Sequence, residues 1–284
     1  MSGLIRVAEA HAVGSSPGVA ESADFPWGAA LSIAVVGLWY GLGFVRAHRT
    51  GKPTVRACAF ASGLGVLAIA LLGPLDRWAT QSFAAHMVQH ELLMLFAAPL
   101  LVLGRPLPML LWAFPGDLRR MIGSGARSSP VRVFWGWLLS PAVAWLCHGL
   151  ALWIWHAPRL FDDALRSPAV HDLQHLTFFC GALVFWASLA EERRRDRQGA
   201  GILYLFTTVL HTGVLGALIT FATRLWYSPY LDIPSAWGMS ALEDQQLGGL
   251  IMWIPGSAVY VAAALWLLGR WILQSDRTTQ ADAG

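Results

Sequence analysis

The chain has 284 residues, 56% of them hydrophobic and 13% charged, with a mean hydropathy of +0.51 and a formal net charge of +3. A soluble domain carries about 25% charged residues, so the composition points to an integral membrane protein. No basic stripe with interleaved aromatics appears, which excludes a nucleic-acid partner, and Cys58, Cys147 and Cys180 lack the spacing of a disulfide framework or thiolate metal site.

Residues 1–26 are rich in Gly, Ser, Ala and acids. They lack a basic segment followed by an apolar stretch, so they read as a disordered periplasmic tail without a cleavable signal peptide. The domain proper is expected over 27–272. A spanning helix needs about 20 largely apolar residues, and seven such runs follow. They are expected at about Trp27–Phe44, Val55–Leu72, Phe83–Leu103, Val131–Trp155, Val170–Leu189, Ile202–Ala222 and Gln246–Leu268. Between the third and fourth lies RPLPMLLWAFPGDLRRMIGSGARSSP, broken by Pro108 and Pro115 and too short in its apolar part to span. It reads as an interfacial or re-entrant piece. Residues 273–284 form a cytoplasmic tail, expected to be disordered. The predicted fold class is an all-α membrane protein of seven transmembrane helices.

Orientation follows from Lys and Arg in short loops. Of the 20 basic residues, fifteen fall on one side: the positions 46–56, 105–132, 193–197, 270 and 277. Five fall on the other: Arg6, Arg77, Arg159, Arg166 and Arg224. The N-terminus is therefore expected outside and the C-terminus inside, in the bacterial inner membrane.

Nine histidines fall on this topology. His86 and His90 open the third span in the pentapeptide HMVQH. His171 and His175 open the fifth in HDLQH. His148 lies near the outer end of the fourth span and His156 at its exit. At about 1.5 Å per residue, His90, His148 and His175 should lie roughly 7–10 Å below the outer boundary. His211 lies deeper, while His11 and His48 read as solvated. Residues i and i+4 share one helical face, so each pentapeptide offers two imidazoles to one ion, as in zinc helices of the H-E-x-x-H kind. Gln89 and Gln174 are placed to hold a second imidazole nitrogen. Glu243 and Asp244 stand at the expected outer mouth. Ionisable groups inside membrane helices read first as functional sites.

The candidate metal ligands are thus His86, His90, His171, His175, His148 and His156, with Gln89, Gln174, Glu243, Asp244 and His211 around them. No catalytic residue is assigned. Cys147, Met94 and Met252 are soft donors that read first as core. Imidazole-rich sites suit Zn, Cu, Fe or Ni, and facing His pairs also suit haem. A metallochaperone, a haem or di-metal redox protein and a metal transporter all stay open on the residues alone.

Three blocks, AHMVQHELLMLFAAPLLVLGRP, WHAPRLFDDALRSPAVHDLQHLTFF and LEDQQLGGLIMWIPG, together resemble the CtaG-type family of cytochrome c oxidase assembly factors. The likeness runs from about the second span to the seventh. It implies a seven-span bacterial membrane protein serving haem–copper oxidases, with copper as the expected metal, zinc or iron as alternatives, and oxidase subunits or another copper chaperone as partners. His86, His90, His156, His171, His175, Glu243, Asp244 and Gln245 fall inside the blocks. Glu91, directly after His90, is a departure from the family pattern that either joins the site or lies at its mouth.

Overall fold

The structure, a computed structural model, describes residues 26–47, 54–194, 198–233 and 238–282. Every regular element among them is helical. The expected N-terminal tail, His11 and His48 lie outside the described residues.

Helix α1 (Trp27–Ala47) packs on α2 (Val55–Leu72). The short α3 (Pro74–Ala79) starts with Pro74 at its first position, where the missing N–H costs nothing. Helix α4 (Phe83–Glu91) passes through a π-helical turn, Leu92–Ala97, into α5 (Ala98–Gly104). Pro99 has no N–H to return to the preceding turn, and Trp186 Nε1 donates to the Met94 carbonyl at 2.9 Å. The segment after Gly104 forms no helix of spanning length, broken as its prolines suggest. It forms α6 (Pro106–Trp112), packed on α1, and the amphipathic α7 (Gly116–Ala126), with no buried residue in either.

The expected fourth span is broken. Helices α8 (Ser129–Leu138) and α9 (Pro141–Trp155) meet at 58°. Pro141 lacks an N–H and holds Ser140 in an extended conformation, with φ −66° and ψ 140°. Among the described residues, six helices are therefore long and apolar enough to cross a membrane, or seven if this bent pair is one span. The short α10 (Pro158–Arg166) leads to α11 (Pro168–Arg194), which packs on α9 and α5. Helix α12 (Gln198–Thr220) is followed by a 3-10 turn, Ser228–Asp232. Helix α13 (Ala241–Ile251) runs through a second π turn, Met252–Gly256, into α14 (Ser257–Asp282). The C-terminal tail expected after residue 272 is therefore helical as far as Asp282, with no Gly or Pro to break it.

Two close approaches set α4 in place. A Cβ on Gly248 would fall 2.3 Å from Phe83 Cδ1, and one on Gly249 would fall 2.6 Å from the Thr220 nitrogen. Helix α13 is thus wedged between α4 and α12, the small-residue packing common inside membranes. The main buried cluster lies between α4, α9, α11, α12 and α14, around Met87, Phe178, Phe185 and Leu205. Large apolar side chains such as Leu31, Val45, Phe206 and Leu265 point outward, as a lipid-facing surface requires.

Candidate metal centre

Helix α4 begins with an N-terminus capped twice. Ser82 Oγ accepts from the Ala85 nitrogen at 3.2 Å. The Asp244 carboxylate accepts from Ser82 Oγ at 2.7 Å, from the Phe83 nitrogen at 2.6 Å and from the Ala84 nitrogen at 3.3 Å. A carboxylate on free N–H groups at a helix start is favoured by hydrogen bonding and by the helix dipole together. Asp244 therefore anchors the turn that carries His86. Glu243 caps its own helix. Its carboxylate closes a capping box with Ser240 on the exposed start of α13.

From this anchor α4 presents His86 and His90 to His171 and His175 of α11. Ring centroids lie 4.4 Å apart for His86–His90, 5.2 Å for His86–His171, 5.2 Å for His90–His175 and 4.1 Å for His171–His175. His156, at the C-terminal cap of α9, stands 6.3 Å from His90. One ligating nitrogen from each of His86, His171 and His175 lies within 4.8 Å of the other two. Five of the six expected ligands therefore converge, from three elements of the chain.

Two of these rings have a tautomer set by their partners. Tyr230 Oη donates its one proton to the Ala79 carbonyl at 3.0 Å and lies 3.2 Å from His86 Nδ1. His86 Nδ1 must then carry the hydrogen and Nε2 the lone pair. Burial pushes the Tyr230 phenol well above its ordinary range, and the nearby Asp244 adds to this, so the hydroxyl keeps its proton at neutral pH. His156 Nδ1 lies 2.7 Å from the Leu152 carbonyl, which can only accept, so its Nε2 is also bare. Burial pushes the His156 imidazole down to about 4, partly offset by that carbonyl, so it too is neutral. Among the described residues neither Nε2 has a hydrogen-bond partner; the same holds for His175 Nε2 and both nitrogens of His90. His86, His90, His156 and His175 are exposed by 0%, 1%, 3% and 7%. Buried imidazole nitrogens without partners are costly unless something binds them.

Around the rings the site is apolar and roofed. Phe161 of α10 lies 5.1 Å from His86 and 6.1 Å from His156, and Phe178 lies 4.7 Å from His90. Tyr227 stacks on Phe83 at 4.6 Å and donates to the His156 carbonyl at 3.1 Å. His171 is only partly buried and interacts electrostatically with Asp76 and Asp172. It is the least buried ring of the five.

Other expected partners stand elsewhere. His148 is fully buried but hydrogen-bonds Tyr260 Oη through Nε2 at 2.9 Å. It sits level with Gly181, whose Cβ would lie 3.6 Å from the His148 Cα. Gly181 is six residues beyond His175, about 9 Å deeper along the helix. His211 stacks edge-on to Trp145 at 5.0 Å, next to Gly149 and apart from the cluster. Gln89 donates to the Ala70 carbonyl at 2.9 Å and to Asp76 Oδ1 at 2.8 Å. Gln174 is buried without a partner for its amide, and among the described residues neither glutamine bonds an imidazole. Glu91 joins neither site nor mouth: it packs against Gly256, where an added Cβ would lie 2.8 Å from Oε2. Gln245 ties down the loop after α12, accepting from the Trp226 nitrogen at 2.7 Å. Tyr230 and Asp76 were not foreseen, since neither lies on a periodic apolar run that would have marked it.

A family profile for the cytochrome c oxidase caa3 assembly factor matches residues 38–274. The chain belongs to the Caa3_CtaG family. It is thus a multi-pass membrane protein of a bacterial family, with the all-helical architecture expected of it. An uncharacterised protein of Mycobacterium leprae is 28% identical to this Caa3_CtaG chain over 258 residues, covering 86% of this chain and 38% of its own length. Uncharacterised proteins of Mycobacterium bovis and Mycobacterium tuberculosis are each 26% identical over 263 residues, covering 87% of this chain and 39% of their own. The chain thus spans about two fifths of the length of the curated relatives it matches. No solved structure matches it.

Proposed function

We propose that this chain serves cytochrome c oxidase assembly by holding a transition-metal ion, copper first, and passing it to an oxidase subunit or a copper chaperone. His86, His171 and His175 form the core of the set, and His90 and His156 are within reach to complete it. The observation that carries the proposal is the group of bare, buried imidazole nitrogens from α4, α9 and α11. Neutral imidazole suits copper, zinc, iron and nickel; family membership favours copper among them. Three convergent nitrogens are one more than the axial positions of a haem, which favours a bare ion over a macrocycle.

Exchange rather than storage fits the arrangement. His171 is open to one side while the other four rings are buried. The basic bias of the loops supports an opening on the periplasmic face. The test is made in cells that need the chain for their oxidase, with His86→Ala and His171→Ala combined. Oxidase activity should fall severalfold, and the copper content of the purified variant should fall to background, at unchanged protein level. Full oxidase activity with the double variant would refute the proposal.

A further inference from the structure

On the basic side of the molecule, a cavity of about 410 Å³ opens between α1, α2 and the α5–α6 junction. Its lining is mostly apolar, from Val55, Gly104, Pro108 and Met109. Arg56, Arg105, Thr54 and Tyr40 supply its polar groups. No acid lines it, and neither arginine makes an ion pair among the described residues. Tyr40 is exposed by 6%, and its ring is stacked on Phe60 at 3.9 Å, which fixes its place in the lining.

Arg105 is the one non-glycine with positive φ among the described residues, at φ 47° and ψ 63°. This backbone is unfavourable for an L-residue, and the following Pro106 restricts it further. The turn places a guanidinium at the cavity where a relaxed turn could have used glycine. Outside the opening, Leu103 and Leu107 are exposed, as lipid-facing side chains would be.

We infer that this cavity binds one anionic phospholipid, its phosphate held by Arg56, Arg105 and the Tyr40 hydroxyl and its chains continuing along the exposed apolar faces of α2 and α5. The chemistry is that of a phosphate monoanion attached to a hydrophobic body. The two guanidinium groups match the first part, and the apolar lining matches the second. A free phosphate would use only the rim. The site faces away from the histidine centre, so binding here is independent of metal.

The test is native mass spectrometry of the full chain released from nanodiscs of phosphatidylcholine containing a minor fraction of phosphatidylglycerol. One phosphatidylglycerol should stay bound per chain. Arg56→Gln with Arg105→Gln should weaken retention by roughly five-fold per arginine. Tyr40→Phe, which preserves the stack on Phe60, should weaken it to a lesser degree, and metal binding should be unchanged in both variants. Thermal stability should rise with phosphatidylglycerol and not with inorganic phosphate in phosphatidylcholine discs. Equal retention of the two lipids, unaltered retention by both variants, or full stabilisation by inorganic phosphate alone would overturn the assignment.

Discussion

Tyr230 decides which nitrogen of His86 faces the other rings. Its hydroxyl hands its proton to the Ala79 carbonyl and leaves its lone pairs to His86 Nδ1. Tyr230→Phe keeps the aromatic body packed on Phe83 and removes that acceptor. Copper affinity, measured by competition with a chromophoric chelator, should weaken by about ten-fold, the low end for the loss of a group that orients a metal-bound histidine. Unchanged affinity would mean that His86 needs no such orientation. The histidines themselves were legible in the sequence, because spacing of four puts two rings on one helical face and the same pentapeptide occurs twice. Tyr230 was not, because it reaches the site from a 3-10 turn 144 positions away in the chain. Counting depth along a straight fourth span groups His148 with the others. That span breaks at Ser140–Pro141, and His156, at the end of α9, meets the cluster instead.

At the scale of elements, the site depends on α4 being held at its first turn. Asp244 does this from α13, a helix distant in sequence, and Gly248 lets α13 come close enough. Asp244→Asn keeps the shape but loses the charge and presents an amide to backbone donors. It should lower Tm by roughly 3–10 °C, from the loss of about 1–3 kcal/mol at a buried charged hydrogen-bond centre. It should also weaken metal binding without touching a ligand. A Tm and an affinity both equal to those of the parent chain would show that α4 is held by other contacts. Most helices were readable because apolar runs of spanning length are a strong signal. Pairing between them was not: the apolar faces of membrane helices are alike, and the contacts that choose neighbours are single glycines and one carboxylate. The π turns at Leu92–Ala97 and Met252–Gly256 were invisible for the same reason, although Pro99 and Pro255 mark them in hindsight.

For the molecule as a whole, two ends of one helical bundle carry two chemistries. Imidazoles gather at one end, in a layer sealed by Phe161, Tyr227 and Tyr230. Two arginines, Arg56 and Arg105, line a mostly apolar cavity at the other. On the orientation expected from the basic bias of the loops, the cavity belongs to the inner side and the imidazoles to the opposite face. The central claim is that rings from separate helices hold one ion between them. X-ray absorption at the copper edge, on the purified chain loaded with one equivalent of copper, tests it most directly. At least three imidazole nitrogens should surround the metal, and fewer in the combined His86→Ala and His171→Ala variant. A spectrum with one imidazole or none in the parent chain, or one unchanged by the double substitution, would contradict it.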